Sequence, residues 1–63
     1  MNDRQIINTM IEYGGSFVRK LGAAALVADQ QNLNRIKATW PEYWGQYARM
    51  AKQLSEVEKQ ASK

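Results

Sequence analysis

From Ile6 onward the apolar positions of this chain recur every three or four residues, through Ile7, Met10, Ile11, Gly14, Phe17, Val18, Leu21, Ala24, Ala25 and Ala28. That spacing is the period of an α-helix, because side chains three and four apart stack on one face. Asp3 has the chemistry of an N-cap just ahead of the pattern. The period runs through Gly14-Gly15 without a break, so it predicts one long helix over residues 4–28, bent at the glycine pair. A glycine inside a helix costs about 1 kcal/mol relative to alanine, and two in succession need compensation. On a helical wheel Gly14 sits in the middle of the apolar arc, with Gly15 and Gly22 along its edge. The arc covers about half the circumference, wider than the ~100° stripe that one packing partner requires. Two neighbours are implied, one from the same chain and one from a second copy.

Asp29 interrupts the pattern and is suited to cap a second helix over residues 30–38, with Leu33, Ile36 and Trp40 on one side. Proline disfavours helical geometry in the residue before it and is tolerated at the first helical position, so Trp40-Pro41 marks a boundary and the start of a last helix. Along that helix Tyr43, Tyr47, Met50, Leu54, Val57 and Ala61 alternate spacings of four and three, an amphipathic heptad seam. The seam fits a hairpin within the chain and a coiled coil between chains equally. No strand pattern, repeat or linker interrupts residues 1–63. The expectation is a single all-α domain of three helices: a long N-terminal helix containing Gly-Gly, a short middle helix and an amphipathic C-terminal helix.

Chain length constrains how such a domain is stabilised. A 63-residue protein buries only about 60% of its unfolded surface, and a core of this size supplies ~3–5 kcal/mol unless something staples it. Cysteine and histidine are both absent, which removes disulfides and the usual structural zinc site. Self-association is the remaining remedy, and a homo-oligomer is expected. The same absences count against catalysis, since general acid–base and nucleophilic mechanisms draw first on histidine and cysteine. The reading is of a protein that is not an enzyme and needs no cofactor or metal. No apolar run approaches the ~20 residues of a membrane span, and the N-terminus lacks the layout of a signal peptide. Nine basic against six acidic residues give a formal charge of +3, spread along the chain without a polybasic block.

Four of the six aromatic residues fall between Trp40 and Tyr47. Trp40 and Tyr47 are natural core residues, but one end of one helix cannot hide four rings in so small a protein. Some of them belong at a subunit contact or a cavity wall, where stacking on a base contributes about 1–3 kcal/mol. Trp40, Tyr43, Trp44 and the earlier Tyr13 are the candidate stacking residues. Arg19 and Lys37, with Lys20 and Arg49 behind them, are candidate phosphate partners. Gly14, Gly15 and Ser16 could expose backbone N–H groups to an anion; the glycines equally suit close helix packing, and the motif lacks the preceding strand and the glycine spacing of a phosphate loop.

The strings Tyr13-Gly14-Gly15-Ser16-Phe17-Val18, Ala28-Asp29 with Asn32, and Arg35-Ile36-Lys37-Ala38-Thr39-Trp40-Pro41-Glu42-Tyr43-Trp44 resemble a group of very small accessory proteins of tailed phages and prophages. The similarity covers residues 6–51. The resemblance implies a phage product in the host bacterial cytoplasm that acts by stoichiometry, with counter-defence as the natural role. Combined with the candidate site, it leads to an oligomeric binder that sequesters an anionic, nucleotide-derived bacterial immune signal. The alternatives are a protein-binding inhibitor of a host defence effector, anchored by Trp44, Tyr43 and Arg49, and a small nucleic-acid-binding protein.

Overall fold

A computed structural model of the chain describes residues 2–61, with the side chains of residues 2–58. It has four helices: α1 (Asp3–Tyr13), α2 (Ser16–Val27), α3 (Gln30–Thr39) and α4 (Pro41–Ala61). No strand occurs among the described residues. The all-α class agrees with the sequence, but the expected three helices are four. The single long helix over 4–28 is two helices that fold back on each other.

The reversal occurs at the glycine pair. Gly14 (φ −74°, ψ 156°) ends α1 and Gly15 (φ −72°, ψ −175°) precedes α2, both in extended geometry. Neither needs a positive φ. What Gly14 supplies is space: a Cβ there would collide with the Met10 carbonyl oxygen and lie 2.7 Å from Val18 Cγ1. Farther along the hairpin Gly22 plays the same part, since its Cβ would sit 3.0 Å from both Ile11 Cγ1 and Met10 Cβ. A continuous helix would hold two glycines at a cost of about 1 kcal/mol each and leave half its circumference greasy. Folding back removes the first penalty and buries the apolar face of α1 against that of α2. The wide apolar arc therefore finds one of its neighbours within the same segment.

Local signals set the other boundaries. The N-cap of α1 is Asn2, one residue before the expected Asp3: its side chain accepts from the Gln5 backbone N–H at 3.0 Å, and Gln5 Oε1 accepts from the Asn2 backbone N–H at 3.2 Å. This reciprocal pair satisfies two donors that a helix start otherwise leaves unpaired. Asp29 caps α3 as its position implied, accepting from Asn32 N–H at 2.8 Å. Pro41 opens α4 at its first helical position, where the missing N–H costs nothing.

Two groups of buried residues form the core. Ile6, Met10, Val18 and Tyr47 join α1, α2 and α4; Ile7, Ala25 and Leu33 join α1, α2 and α3. Met10 is fully buried at the centre. Trp44, half-buried, packs against both groups. The only buried polar side chain among the described residues, Thr9, donates from Oγ1 to the Gln5 carbonyl at 2.7 Å. The seam of α4 is used in part and within the chain. Tyr47 and Ala51 are buried, Tyr43, Met50 and Leu54 are half-buried, and Val57 is exposed. The side chain of Ala61, the last seam residue, lies outside those described.

Candidate functional site

The α3–α4 junction decides where the aromatic residues go. Trp40 is the C-cap of α3, at φ −126° and ψ 61°, so its ring leaves the helical line that Tyr43, Trp44 and Tyr47 follow. It turns toward the start of α2. There Phe17 meets Trp40 edge-on, ring centroids 5.7 Å apart at 68°, and meets Tyr43 at 5.9 Å and 50°. These are favourable aromatic geometries. Trp40 and Tyr43 are half-buried, whereas Phe17 is 53% exposed. The result is an open patch of three rings drawn from three elements.

The patch adjoins the N-terminus of α2. Gly15 caps that helix without a side chain, so the N–H groups of its first turn, at Ser16, Phe17 and Val18, have no side-chain acceptor. Such a turn carries partial positive charge and donor groups suited to an anion. Arg19 lies on the next turn and donates from Nη2 to the Gly14 carbonyl at 3.4 Å, which places a guanidinium at the same corner. From Trp40 a groove of about 440 Å³ runs between α2 and α3; Ala24, Val27 and Ile36 make its walls apolar, and Arg35 and Asn32 add polar groups.

The nine predicted site residues are thus partly assembled. Gly15, Ser16, Arg19, Trp40 and Tyr43 come together at the head of α2. Gly14 is beside them but buried, with its N–H donating to the Met10 carbonyl at 2.9 Å and its carbonyl occupied by Arg19, so it shapes the corner and offers no free N–H. Tyr13 is 51% exposed and lines a separate, more polar groove of about 260 Å³ between α1 and α4. Lys37 and Trp44 belong to a different contact. Lys37 Nζ donates to Asp3 Oδ2 at 2.7 Å and lies 5.2 Å from the centroid of the Trp44 ring. These three tie α3 and α4 to the first turn of α1, where an acidic residue also suits the helix dipole.

The sequence pattern places Phe17 on the apolar arc of a single first helix and not among the site residues, whereas the structure brings it into the patch. Its position two residues after the glycine pair was the available signal: once the chain reverses there, a residue in the first turn of α2 is brought to the corner rather than to the middle of a helix face. Among the described residues no three His, Cys, Asp or Glu side chains gather as a metal site, and no helix is long and apolar enough to cross a membrane.

No family model, curated protein or solved structure matches the chain.

Proposed function

We propose that this protein is a non-catalytic binder that captures an aromatic anion of nucleotide type, with the base on Phe17, Trp40 and Tyr43 and the phosphate at the first turn of α2. The observation that carries the reading is the juxtaposition of a three-ring patch, open at Phe17, with Arg19 and a helix N-terminus that has no side-chain cap. Either element alone is common. Together they match the two halves of a nucleotide, a flat π-face and positively charged groups at the same end of α2. Stacking contributes about 1–3 kcal/mol, the helix terminus about 0.3–1, and each hydrogen bond from Arg19 to phosphate about 1.5–3.

The resemblance to small phage proteins gives this binding its context: a homo-oligomer in the host bacterial cytoplasm that withholds a nucleotide-derived immune signal. Binding without turnover suits a chain with no histidine or cysteine, and self-association suits a core of eight buried apolar residues among those described. Titration calorimetry of the full chain against cyclic di- and trinucleotides and cyclic ADP-ribose isomers tests the reading. Heat from at least one of them is expected, with the ligand recovered intact by chromatography. Absence of heat across the panel, or chemically altered ligand, defeats it.

A second reading is favoured by the groove. Its apolar walls end at Val27, which is 84% exposed, and a helix of a host effector could lie there. Affinity capture separates the two, since an effector inhibitor recovers a stoichiometric protein partner and a nucleotide trap recovers none.

A further inference from the structure

We infer that the outward face of α2 is a two-fold contact between copies of this chain, in which Lys20 of each copy pairs with the partner's Asp29. The inference rests on the self-association proposed above and specifies the face that carries it. The two charges of α2, Arg19 and Lys20, lie in its first half, and every position from Leu21 to Ala28 is uncharged. A helix apolar on all sides belongs inside a protein. Here one side is buried, through Val18, Gly22 and Ala25, while Ala23, Ala24 and Val27 are exposed. Val27, at 84%, is the most exposed of the large apolar side chains described.

Helical spacing places Ser16, Lys20, Ala23, Ala24 and Val27 on one face. Its centre is small and apolar, so a second helix can approach closely. The charges choose the occupant. Lys20 lies toward one end of α2 and Asp29 two residues past the other, and neither makes an ion pair among the described residues. An antiparallel copy, with its axis beside Ala24, sets each Lys20 against the partner's Asp29. A parallel copy sets like charge against like. Asp29 keeps a carboxylate oxygen for this contact, because only Oδ1 is engaged in capping α3. A face with a cation toward one end and an anion past the other can pair with itself, as a two-fold interface must, with Arg35 of α3 bordering it beside Ala24 and Val27.

The contact surface of a twelve-residue helix falls short of the ~800 Å² per partner of a standard interface. The dimer should therefore dissociate reversibly, with Kd on the order of 10 μM. Phe17 lies about 80° round the helix from Val27, so its ring stays outside the contact, whereas the groove walled by Ala24 and Val27 is covered by it.

Sedimentation equilibrium of the full chain across the micromolar range tests the inference, with circular dichroism confirming that each variant keeps its helices. The wild-type chain should show a monomer–dimer equilibrium. Val27→Lys, which suits a helix C-terminus but charges the face, should weaken it by about fiftyfold or more. Lys20→Glu should weaken it about tenfold at low salt, through two symmetric pairs. Adding Asp29→Asn, which keeps the cap but removes the opposing charge, should bring the double variant back to about the level of Asp29→Asn alone. A dimer indifferent to Val27→Lys and Lys20→Glu places the interface elsewhere and overturns the inference while leaving self-association standing. A wild-type chain that stays monomeric throughout overturns both, and leaves ligand binding at the Phe17 patch to be judged by its own titration.

Discussion

Substituting the two adjacent glycines by alanine should shift stability in opposite directions. At Gly15 the added Cβ meets nothing within 4 Å and φ is −72°, a conformation alanine adopts freely. The gain is the reduced entropy of the unfolded chain, about 0.4–1 kcal/mol. At Gly14 the same entropic gain is opposed by a methyl that collides with the Met10 carbonyl oxygen and lies 2.7 Å from Val18 Cγ1. One of those atoms is backbone and the other belongs to a buried side chain, so neither can swing aside. Overpacking of this kind costs typically 1–3 kcal/mol, and the corner has to open to relieve it. The net loss at Gly14 should be about 1–2 kcal/mol. For a domain of this size each kcal/mol moves Tm by about 4–8 °C. Thermal unfolding followed by circular dichroism should therefore place Gly14→Ala roughly 5–15 °C below wild type and Gly15→Ala a few degrees above it. A continuous helix through the pair predicts that both alanines stabilise, by about 1 kcal/mol each. A Gly14→Ala protein as stable as wild type or more so refutes the reversed corner.

Three further outcomes follow from the same geometry. Phe17→Ala should abolish nucleotide binding in calorimetry while costing about 1–2 kcal/mol of stability, because the ring is half in solvent but touches Trp40 and Tyr43; Trp44→Ala should leave binding in place and lose about 3 kcal/mol in chemical denaturation, because that ring packs against both halves of the core. Asp3→Asn breaks the ion pair with Lys37, whose side chain is 31% exposed, so its effect should stay under about 1 kcal/mol and shrink with added salt. Asp29→Ala removes the α3 cap and should cost about 1 kcal/mol, whereas Asp29→Asn should leave the unfolding midpoint nearly unchanged.

What the sequence showed of this fold follows the range of each signal. Asp29 and Pro41 act within a turn of their own position, and both boundaries lie where those residues put them. The reversal at Gly14-Gly15 escaped because the two halves of a helical hairpin present their apolar faces to each other, and the three-and-four spacing continues across the corner as though nothing had happened. The N-cap moved from Asp3 to Asn2 because Gln5 completes a capping box with the earlier residue and Asp3 is drawn to Lys37, thirty-four positions away. That partnership could not be read from local spacing. It also removed Lys37 from the candidate site. The aromatic cluster divided for a similar reason: Trp40 and Trp44 are four apart and would share a face in one helix, but Trp40 is a cap and points to Phe17, while Trp44 turns inward. The glycine, serine and aromatic members of the site were legible as residue types. Their assembly depended on a turn that periodicity conceals.

Ring-to-ring contact across that turn is the most direct measurement. A nuclear Overhauser spectrum of the full chain should show cross-peaks from the Phe17 ring to those of Trp40 and Tyr43, together with methyl contacts between Ile7 and Ala25. Unbroken sequential amide contacts from Tyr13 through Phe17, with neither set of long-range peaks, would contradict the folded-back hairpin and the binding patch built on it.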